Sequence, residues 1–285
     1  MSVPGAWLLR EFGFAHVKQC VNDDALSQLN SGYSQLYERS GQILLEAKRR
    51  SIGLDDYYRS TEPDVIAVPE ASYPTKLCRF EYLCGASSLI KDFVTTFALA
   101  LVSDLCEDDV VLFKDKCNIK GPGGGAFTPH QDHEAYRHFP PREYFTAMVP
   151  LDDMTPENGC VQFATNYKAV ALEYPRLARW TSSRECLFES HVGGVNHGSI
   201  VASATKHLKW QPIFARAGDV VVFDGLVPHQ SEVNRSTSAR RAFFFTFNRT
   251  CDGDYYESYY DRKRKSYDDP AFHVATPTLH KTSSQ

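Results

Sequence analysis

Apolar residues in the first third of the chain recur at helical spacing. Between residues 22 and 50 they lie three or four positions apart, at Leu26, Leu29, Tyr33 and Leu36. Between residues 88 and 105 the same spacing joins Ile90, Phe93, Phe97, Leu101 and Leu105. This period is typical of a helix that buries one face. We therefore expect one helix over 22–50, capped near Asn22 to Asp24, and a second over 88–105, after an extended segment from Gly13 to Val17.

From about Val110 the pattern changes to short β-like runs. They are separated by Gly, Pro, Asp and Asn, and they read VVLFKDKCNIK, AFTPHQD, EYFTAMVPL, GCVQFAT, GDVVVFDGLVPH and RRAFFFTFN. Many short strands at modest spacing are typical of a sandwich or barrel. The sequence therefore predicts a mainly β fold, with a jelly-roll core that N-terminal α-helices support on one side.

The chain is expected to form one domain over residues 1–285. Its 42% hydrophobic content is sufficient for a sizeable core. We divide it into a helical part over 1–109, a jelly-roll core over 110–250 and a C-terminal extension over 251–285. Residues 169–211 fit neither period, which indicates an insertion over a site. The extension is either solvated or a flap.

Charge and cysteine usage limit the possible partners and compartments. The net charge is -4 and the basic residues are scattered, so we expect no nucleic-acid partner. The eight cysteines form no CxxC pair, which favours reduced thiols. The N-terminus lacks a signal-peptide pattern, and charges interrupt the longest apolar stretch, so no membrane span is expected. We expect a cytoplasmic monomer or homodimer that acts on a small molecule.

A candidate metal site comes from three residues. His130 and Asp132 are two positions apart in PHQD, so on a strand they share a face while Gln131 points to the other. His229 follows the apolar run Val220 to Phe223 and would lie at a strand end. Two imidazoles and one carboxylate leave about three coordination positions open, as in non-haem Fe(II) oxygenases. With ten histidines and 35 acidic residues, a His-x-Asp triplet alone is weak evidence.

Two arginines that follow His229 strengthen the prediction of an iron site. Arg240 and Arg241 open the strand AFFFTFN, and one of them must point inward because side chains alternate along a strand. A guanidinium suits bidentate pairing with a carboxylate. An inward arginine beside an iron site would bind a dicarboxylic oxo-acid, and a surface position suits Arg241 better than Arg240.

Five segments carry a family resemblance, in the same order along most of the chain. They are LLREFGFAHVKQCVNDDALSQL, FKDKCNIKGPGGG, the HQD triplet, VPLDDMTPENGCVQF and GDVVVFDGLVPHQSEVNRSTSARRAFFFTFN. The sequence resembles the phytanoyl-CoA dioxygenase family of Fe(II)- and 2-oxoglutarate-dependent oxygenases. This resemblance implies a double-stranded β-helix core, which is the jelly-roll or cupin-like architecture. It also implies Fe(II), 2-oxoglutarate and O2 as requirements, with ascorbate supporting activity.

The resemblance also implies roles for individual residues. His130, Asp132 and His229 would bind the iron, and Arg240, supported by Ser231, would bind the far carboxylate of 2-oxoglutarate. The remaining co-substrate or substrate contacts would be Lys116, Asn118 and Gln131. The carboxylate of Asp132 favours hydroxylation over halogenation, because halogenating relatives have a small residue there. Desaturation and ring formation stay open.

The substrate is less well determined than the reaction. FKDKCNIKGPGGG, PHQDHEAY and the tail GDYYESYYDRKRKSY resemble the branch that hydroxylates aminoalkyl phosphonates. A small zwitterion needs cationic groups for its anion and acidic or aromatic groups for its ammonium, and the candidates are Lys116, Lys120, Glu134, Tyr136 and Tyr144. The alternative prediction is an oxygenase that modifies a hydrophobic natural product. A non-catalytic jelly-roll binding protein would be expected to lose a ligand or the arginine, and a zinc hydrolase would not explain Arg240.

Overall fold

The computed structural model describes residues 5–70, 73–180, 186–193 and 196–274. The α-helices are α1 (Ala6–Phe12), α2 (Asp23–Arg50), α3 (Leu54–Ser60), α4 (Leu83–Ala86), α5 (Ser88–Phe93), α6 (Leu99–Cys106), α7 (His133–Tyr136), α8 (Tyr167–Glu173), α9 (Ala202–Thr205) and α10 (Tyr256–Lys265). The strands are β1 (Phe14–Val17), β2 (Ile66–Glu70), β3 (Tyr73–Glu81), β4 (Val110–Lys120), β5 (Phe127–His130), β6 (Tyr144–Pro150), β7 (Val161–Ala164), β8 (Ala178–Trp180), β9 (Cys186–Phe188), β10 (Trp210–Pro212), β11 (Val220–Asp224), β12 (His229–Ser231) and β13 (Arg240–Arg249).

Two antiparallel sheets form the core of the protein. The major sheet has the order β1-β11-β6-β13-β4-β3-β2, and the minor sheet has the order β10-β7-β12-β5. Phe244 of the major sheet and Phe163 of the minor sheet belong to one buried cluster between the sheets. Phe243 and Phe245, which alternate with Phe244 on β13, belong to a second cluster with the helices. The predicted jelly-roll core supported by helices is confirmed.

The long N-terminal helix follows its predicted bounds. The Asn22 side chain accepts a hydrogen bond from the Ala25 N–H at 2.9 Å and caps α2, which continues to Arg50. Leu29 and Leu36 are buried on the face that packs against the major sheet. Within the described ranges, no helix combines the length and apolar character needed to cross a bilayer.

The predicted helix over 88–105 differs in its register. A π-helical segment over Val94–Ala98 separates α5 from α6. Its wider turn shifts the buried face by one position, so that Ala98 and Val102 are fully buried. Phe97 and Leu101, which were expected on the buried stripe, are only half-buried.

The hairpin β2–β3 was not predicted, because residues 1–109 were expected to be helical. It extends the major sheet beyond β4, with Arg79 opposite Asn118 and Glu81 opposite Lys116. Charged residues occupy these two positions of β3, and Pro69 interrupts β2, so the usual alternation of apolar and polar residues is missing.

The insertion over 169–211 packs against the strand that carries His130. A β-bridge joins Ser199 to His130, and the Ile200 N–H donates to the Pro129 carbonyl at 2.8 Å. Trp210 of β10 pairs with Ala164, which makes β10 the edge of the minor sheet.

The tail folds onto the protein as far as residue 274. Tyr259, Tyr260 and Lys263 of α10 are buried, and the Tyr260 hydroxyl donates to the Asp115 carboxylate at 3.0 Å. The expected alternative of a solvated extension is therefore wrong for this part. The remainder of the predicted extension, residues 275–285, lies outside the described residues.

Candidate active site

Strand pairing brings the three predicted metal ligands together. β5 and β12 are neighbours in the minor sheet, and His130 lies directly opposite His229. Asp132 follows β5 and directly precedes α7. Its Oδ1 atom lies 3.7 Å from the His130 Nε2 and 3.9 Å from the His229 Nε2. The three ligand atoms lie within 4.8 Å of one another, and all three residues are buried.

The chemistry of these donors fits a divalent metal ion. The Nδ1 atoms of His130 and His229 lie 2.7 and 3.1 Å from the carbonyls of Thr128 and Val227, so each ring can donate from Nδ1 and keep the Nε2 lone pair toward the site. Burial lowers the pKa of His130 to about 3 and also lowers the pKa of His229, which keeps both rings neutral. Neutral imidazoles and an ionised carboxylate are the ligand forms that bind iron.

The Asp132 carboxyl stays ionised although it is buried. Burial alone would raise its pKa, but the His229 ring and the Lys116 ammonium hold the pKa below its ordinary value. The triad therefore offers one negative charge and two neutral nitrogens at one point in the barrel.

A pocket opens from the triad into the space between the two sheets. Apart from the triad, its lining residues are Lys116, Asn118, Phe127, Val161, Phe223, Gln230, Ser231, Arg240 and Phe244. Aromatic rings from both sheets contribute to its walls, and Lys116, Asp132 and Arg240 are its charged lining residues. This arrangement limits the access of water to the space beside the triad.

The two arginines at the start of β13 point to opposite sides of the sheet. Arg240 is 1% exposed, lines the pocket, and donates from Nη1 to the Gly159 carbonyl at 2.7 Å. Its buried Nε has no hydrogen-bond partner among the described residues. Arg241 forms a bidentate pair with Asp152 on the other face, at 2.8 and 2.6 Å. Arg240 is therefore the arginine that can receive an anionic ligand.

Comparison with known proteins identifies the family. Residues 9–242 match the sequence model of the phytanoyl-CoA dioxygenase (PhyH) family. The chain belongs to this family. It is an Fe(II)- and 2-oxoglutarate-dependent dioxygenase that acts on a small molecule, and the buried donor set fits the metal that this chemistry requires.

Named relatives and a solved structure agree with this assignment. The oxygenase is 30% identical over 259 residues to 2-aminoethylphosphonate dioxygenase from Uncultured bacterium HF130_AEPn_1, covering 90% of this chain and 86% of the relative. It is also 30% identical to methylphosphonate hydroxylase from Gimesia maris, covering 66% of this chain and 65% of that protein. EctD from S. alaskensis, solved with 2-oxoglutarate and 5-hydroxyectoine, is 16% identical with a TM-score of 0.64 over 88% of this chain and 77% of that chain. At this identity the likeness shows a shared fold.

Gln131 does not reach the pocket of the oxygenase, although it was expected to contact the co-substrate. Its side-chain amide donates to the carbonyls of Cys186 and Leu226, and its Oε1 accepts from the Phe188 N–H at 2.8 Å. The expectation was wrong because hydrogen bonds to backbone atoms of the insertion and of the segment before His229 occupy the Gln131 side chain.

Four of the five candidate substrate contacts also lie outside this pocket. Lys120 lies behind Ser231, and its ammonium donates to the Ser231 Oγ at 2.7 Å. Glu134 pairs with Arg137 at 2.7 Å and lines a separate surface groove. Tyr136 and Tyr144 are buried and pack on each other, with ring centroids 4.8 Å apart. Of the five residues suggested for the substrate, Lys116 alone is in the lining of the pocket.

Lys114 and the aromatic residues of the pocket walls were not among the residues expected from the sequence. Lys114 precedes Lys116 by two positions and is buried, with its Nζ 3.0 Å from the Tyr259 hydroxyl. Lys114, Lys116, Asn118 and Lys120 lie two positions apart along β4 and share one face, a signal that could have included Lys114. No local pattern distinguishes Phe127, Phe223 and Phe244 from ordinary core residues, because their place in the pocket depends on pairing between distant strands.

Proposed function

We propose that the protein oxidises a C–H bond of a small phosphonate, by hydroxylation, while 2-oxoglutarate is converted to succinate and CO2. The proposal rests mainly on the polar inner face of β4. The side chains at alternate positions on this face are Lys114, Lys116, Asn118 and Lys120. Lys116 lines the pocket beside Asp132, and its ammonium lies 5.3 Å from the centroid of the Phe244 ring. The relatives named for 2-aminoethylphosphonate and methylphosphonate support the same substrate class.

In this proposal His130, Asp132 and His229 bind Fe(II), and Arg240 with Ser231 binds the far carboxylate of 2-oxoglutarate. The bound iron, with 2-oxoglutarate and O2, supplies the oxidant for the C–H bond. Arg240 and Ser231 orient the co-substrate, because a planar guanidinium and a hydroxyl fix a carboxylate in one position. Phe127, Phe223 and Phe244 keep water away from the reacting groups.

Charge in the pocket favours anionic ligands. Asp132 is the one carboxylate among the described lining residues, whereas Lys116 and Arg240 both contribute cations. Two buried cations facing one carboxylate leave an excess of positive charge, so a ligand that brings a negative charge relieves this cost. The far carboxylate of 2-oxoglutarate would pair with Arg240. The phosphonate would pair with Lys116, and the Asn118 amide lies between these two side chains on the sheet.

A substrate panel tests the proposal. Purified enzyme with Fe(II), ascorbate and 2-oxoglutarate should release succinate fastest with 2-aminoethylphosphonate, methylphosphonate or an N-methylated relative. β-Alanine, which carries a carboxylate in place of the phosphonate, should stimulate succinate release weakly. Lys116→Met should raise the KM for the phosphonate. A response to aromatic natural-product scaffolds and to none of the phosphonates would contradict the proposal and favour a tailoring oxygenase.

We further propose that residues 1–285 act as one oxygenase domain, as a monomer or homodimer in the cytoplasm. The major sheet supports this domain organisation, because its two faces contribute to both buried clusters. Light scattering of the purified chain tests the oligomeric state, and a larger assembly would contradict it.

A further inference from the structure

Lys120 packs against one end of the pocket, the end that contains Arg240. The pairing of β4 with β13 places Lys120 directly opposite Arg240, and their side chains are 3% and 1% exposed. The Lys120 ammonium donates to the Ser231 Oγ at 2.7 Å and to the Glu232 carbonyl at 2.5 Å. Lys120 therefore contacts the residues around the pocket and is not itself in its lining.

The hydrogen bond between Lys120 and Ser231 fixes the role of the serine hydroxyl. In its charged form the Lys120 amine has three hydrogens and no lone pair, so it can only donate. The Ser231 Oγ then accepts from Lys120, and its own hydrogen points elsewhere. Since Ser231 lines the pocket, that hydrogen is available to an acceptor inside it.

Two cations meet at this end of the pocket without a carboxylate. In the described part of the chain, neither Lys120 nor Arg240 has a carboxylate oxygen within ion-pair distance. Burial, together with the charge of Arg240, lowers the pKa of Lys120 to about 6, and burial lowers the pKa of Arg240 to about 10. Glu232, Glu70 and Cys160 act on Lys120 in the opposite direction. A bound carboxylate would favour the charged form of Lys120 and relieve the unfavourable burial of the Arg240 charge.

The backbone around these groups leaves little freedom. Gly159 has a φ of +71°, and a Cβ atom there would lie 2.3 Å from the Glu232 carbonyl oxygen and 3.2 Å from the Lys120 Cδ. The Asn234 amide donates to the Lys120 carbonyl at 2.8 Å. Gly159 thus leaves room for the Lys120 side chain beside Ser231, and Asn234 fixes the Lys120 backbone.

We propose that Lys120 is a positioning residue for the co-substrate. It directs the Ser231 hydroxyl toward the far carboxylate of 2-oxoglutarate and, when that carboxylate is bound, contributes a second positive charge beside Arg240. This inference rests on the proposed function, in which Arg240 and Ser231 bind that carboxylate. It does not depend on the identity of the oxidised substrate.

The test measures binding without turnover. Calorimetry on the Ni(II)-loaded enzyme compares 2-oxoglutarate with 2-oxopentanoate, which has the same chain length but lacks the far carboxylate. Lys120→Met should weaken 2-oxoglutarate binding by about tenfold or more, the size expected for a hydrogen bond to a charged group. The affinity for 2-oxopentanoate should change by less than about twofold, as expected when no interaction is lost. Lys120→Arg, which keeps a charged donor, should restore most of the affinity, and the exposed Lys18→Met should have no effect.

A double-mutant cycle separates positioning from a general structural effect. If Lys120 acts through Ser231, Lys120→Met should weaken binding less in the Ser231→Ala background than in the wild type. Equal losses for both oxo-acids, or no loss for 2-oxoglutarate, would overturn the inference. If the variants show these effects while no phosphonate is oxidised, the proposed substrate fails and the role of Lys120 stands.

Discussion

Lys263 of the C-terminal helix α10 donates to Glu81 of β3 at 2.7 Å, and both side chains are fully buried. Arg79 also lies 2.7 Å from the Glu81 carboxylate, and the Lys114 Nζ lies 3.9 Å from it. Three cations thus surround one carboxylate inside the protein. Because Lys114 is on the inner face of β4, two positions from Lys116, the helix supports the strand that forms one wall of the pocket.

Removing the charge of Glu81 should strongly destabilise the protein. Glu81→Gln leaves three buried cations without their counter-charge, which typically costs about 3–5 kcal/mol. Lys263→Met should cost less, because Arg79 and Lys114 still compensate the carboxylate. Urea unfolding followed by circular dichroism measures both effects. A Glu81→Gln protein as stable as the wild type would show that the cluster contributes nothing to folding.

The same carboxylate predicts how stability depends on pH. Burial alone would raise the pKa of Glu81, but Lys263, Lys114 and Arg79 outweigh it and hold the pKa well below its ordinary value. A group with a lowered pKa contributes its full stability above its unfolded pKa, about 4.3 for Glu, and loses it as pH falls toward the folded value. The free energy of unfolding should therefore decrease below about pH 4.3, as the linkage relation requires. Glu81→Gln should show a shallower decrease, and an identical slope in both proteins would contradict the assignment.

Arg240 and Arg241 provide a matched pair of variants. Arg240→Met should raise the KM for 2-oxoglutarate by about 100-fold, since losing one partner of a buried charge pair costs about 2–5 kcal/mol. Arg241→Met, which breaks a half-buried pair with Asp152, should leave this KM within about twofold and cost up to about 1 kcal/mol of stability. Steady-state kinetics over a range of 2-oxoglutarate concentrations distinguish the two. The reverse order of effects would move the carboxylate site to Arg241.

Gln131 should increase the affinity for the metal without contacting it. Its amide fixes the backbone of β9 and of the Leu226 segment, which lies shortly before His229. Gln131→Leu should therefore weaken Co(II) binding by about 10- to 100-fold, the range seen when supporting groups behind metal ligands are lost. Gln211→Leu, at an exposed position on β10, is the control. Unchanged metal affinity in Gln131→Leu would limit its role to holding the insertion.

Periodicity in the sequence predicted α2 and the strands of the core, because each of these elements buries one regular face. The grouping of the three candidate metal ligands was predictable because His130 and Asp132 are two positions apart and His229 follows an apolar run. The hairpin β2–β3 was missed because Arg79 and Glu81 are charged residues inside the fold, stabilised by Lys263 much later in the chain. The role of Gln131 could not be predicted, since its partners are backbone atoms of the insertion.

We propose that a metal bound by His130, Asp132 and His229 couples the breakdown of 2-oxoglutarate to the oxidation of a small phosphonate. Mass spectrometry can follow succinate and oxidised 2-aminoethylphosphonate in one reaction. We expect equal amounts of the two products in the wild type and neither product in Asp132→Ala or His229→Ala. Unchanged succinate formation in these variants, or succinate without any oxidised phosphonate in the wild type, would contradict it.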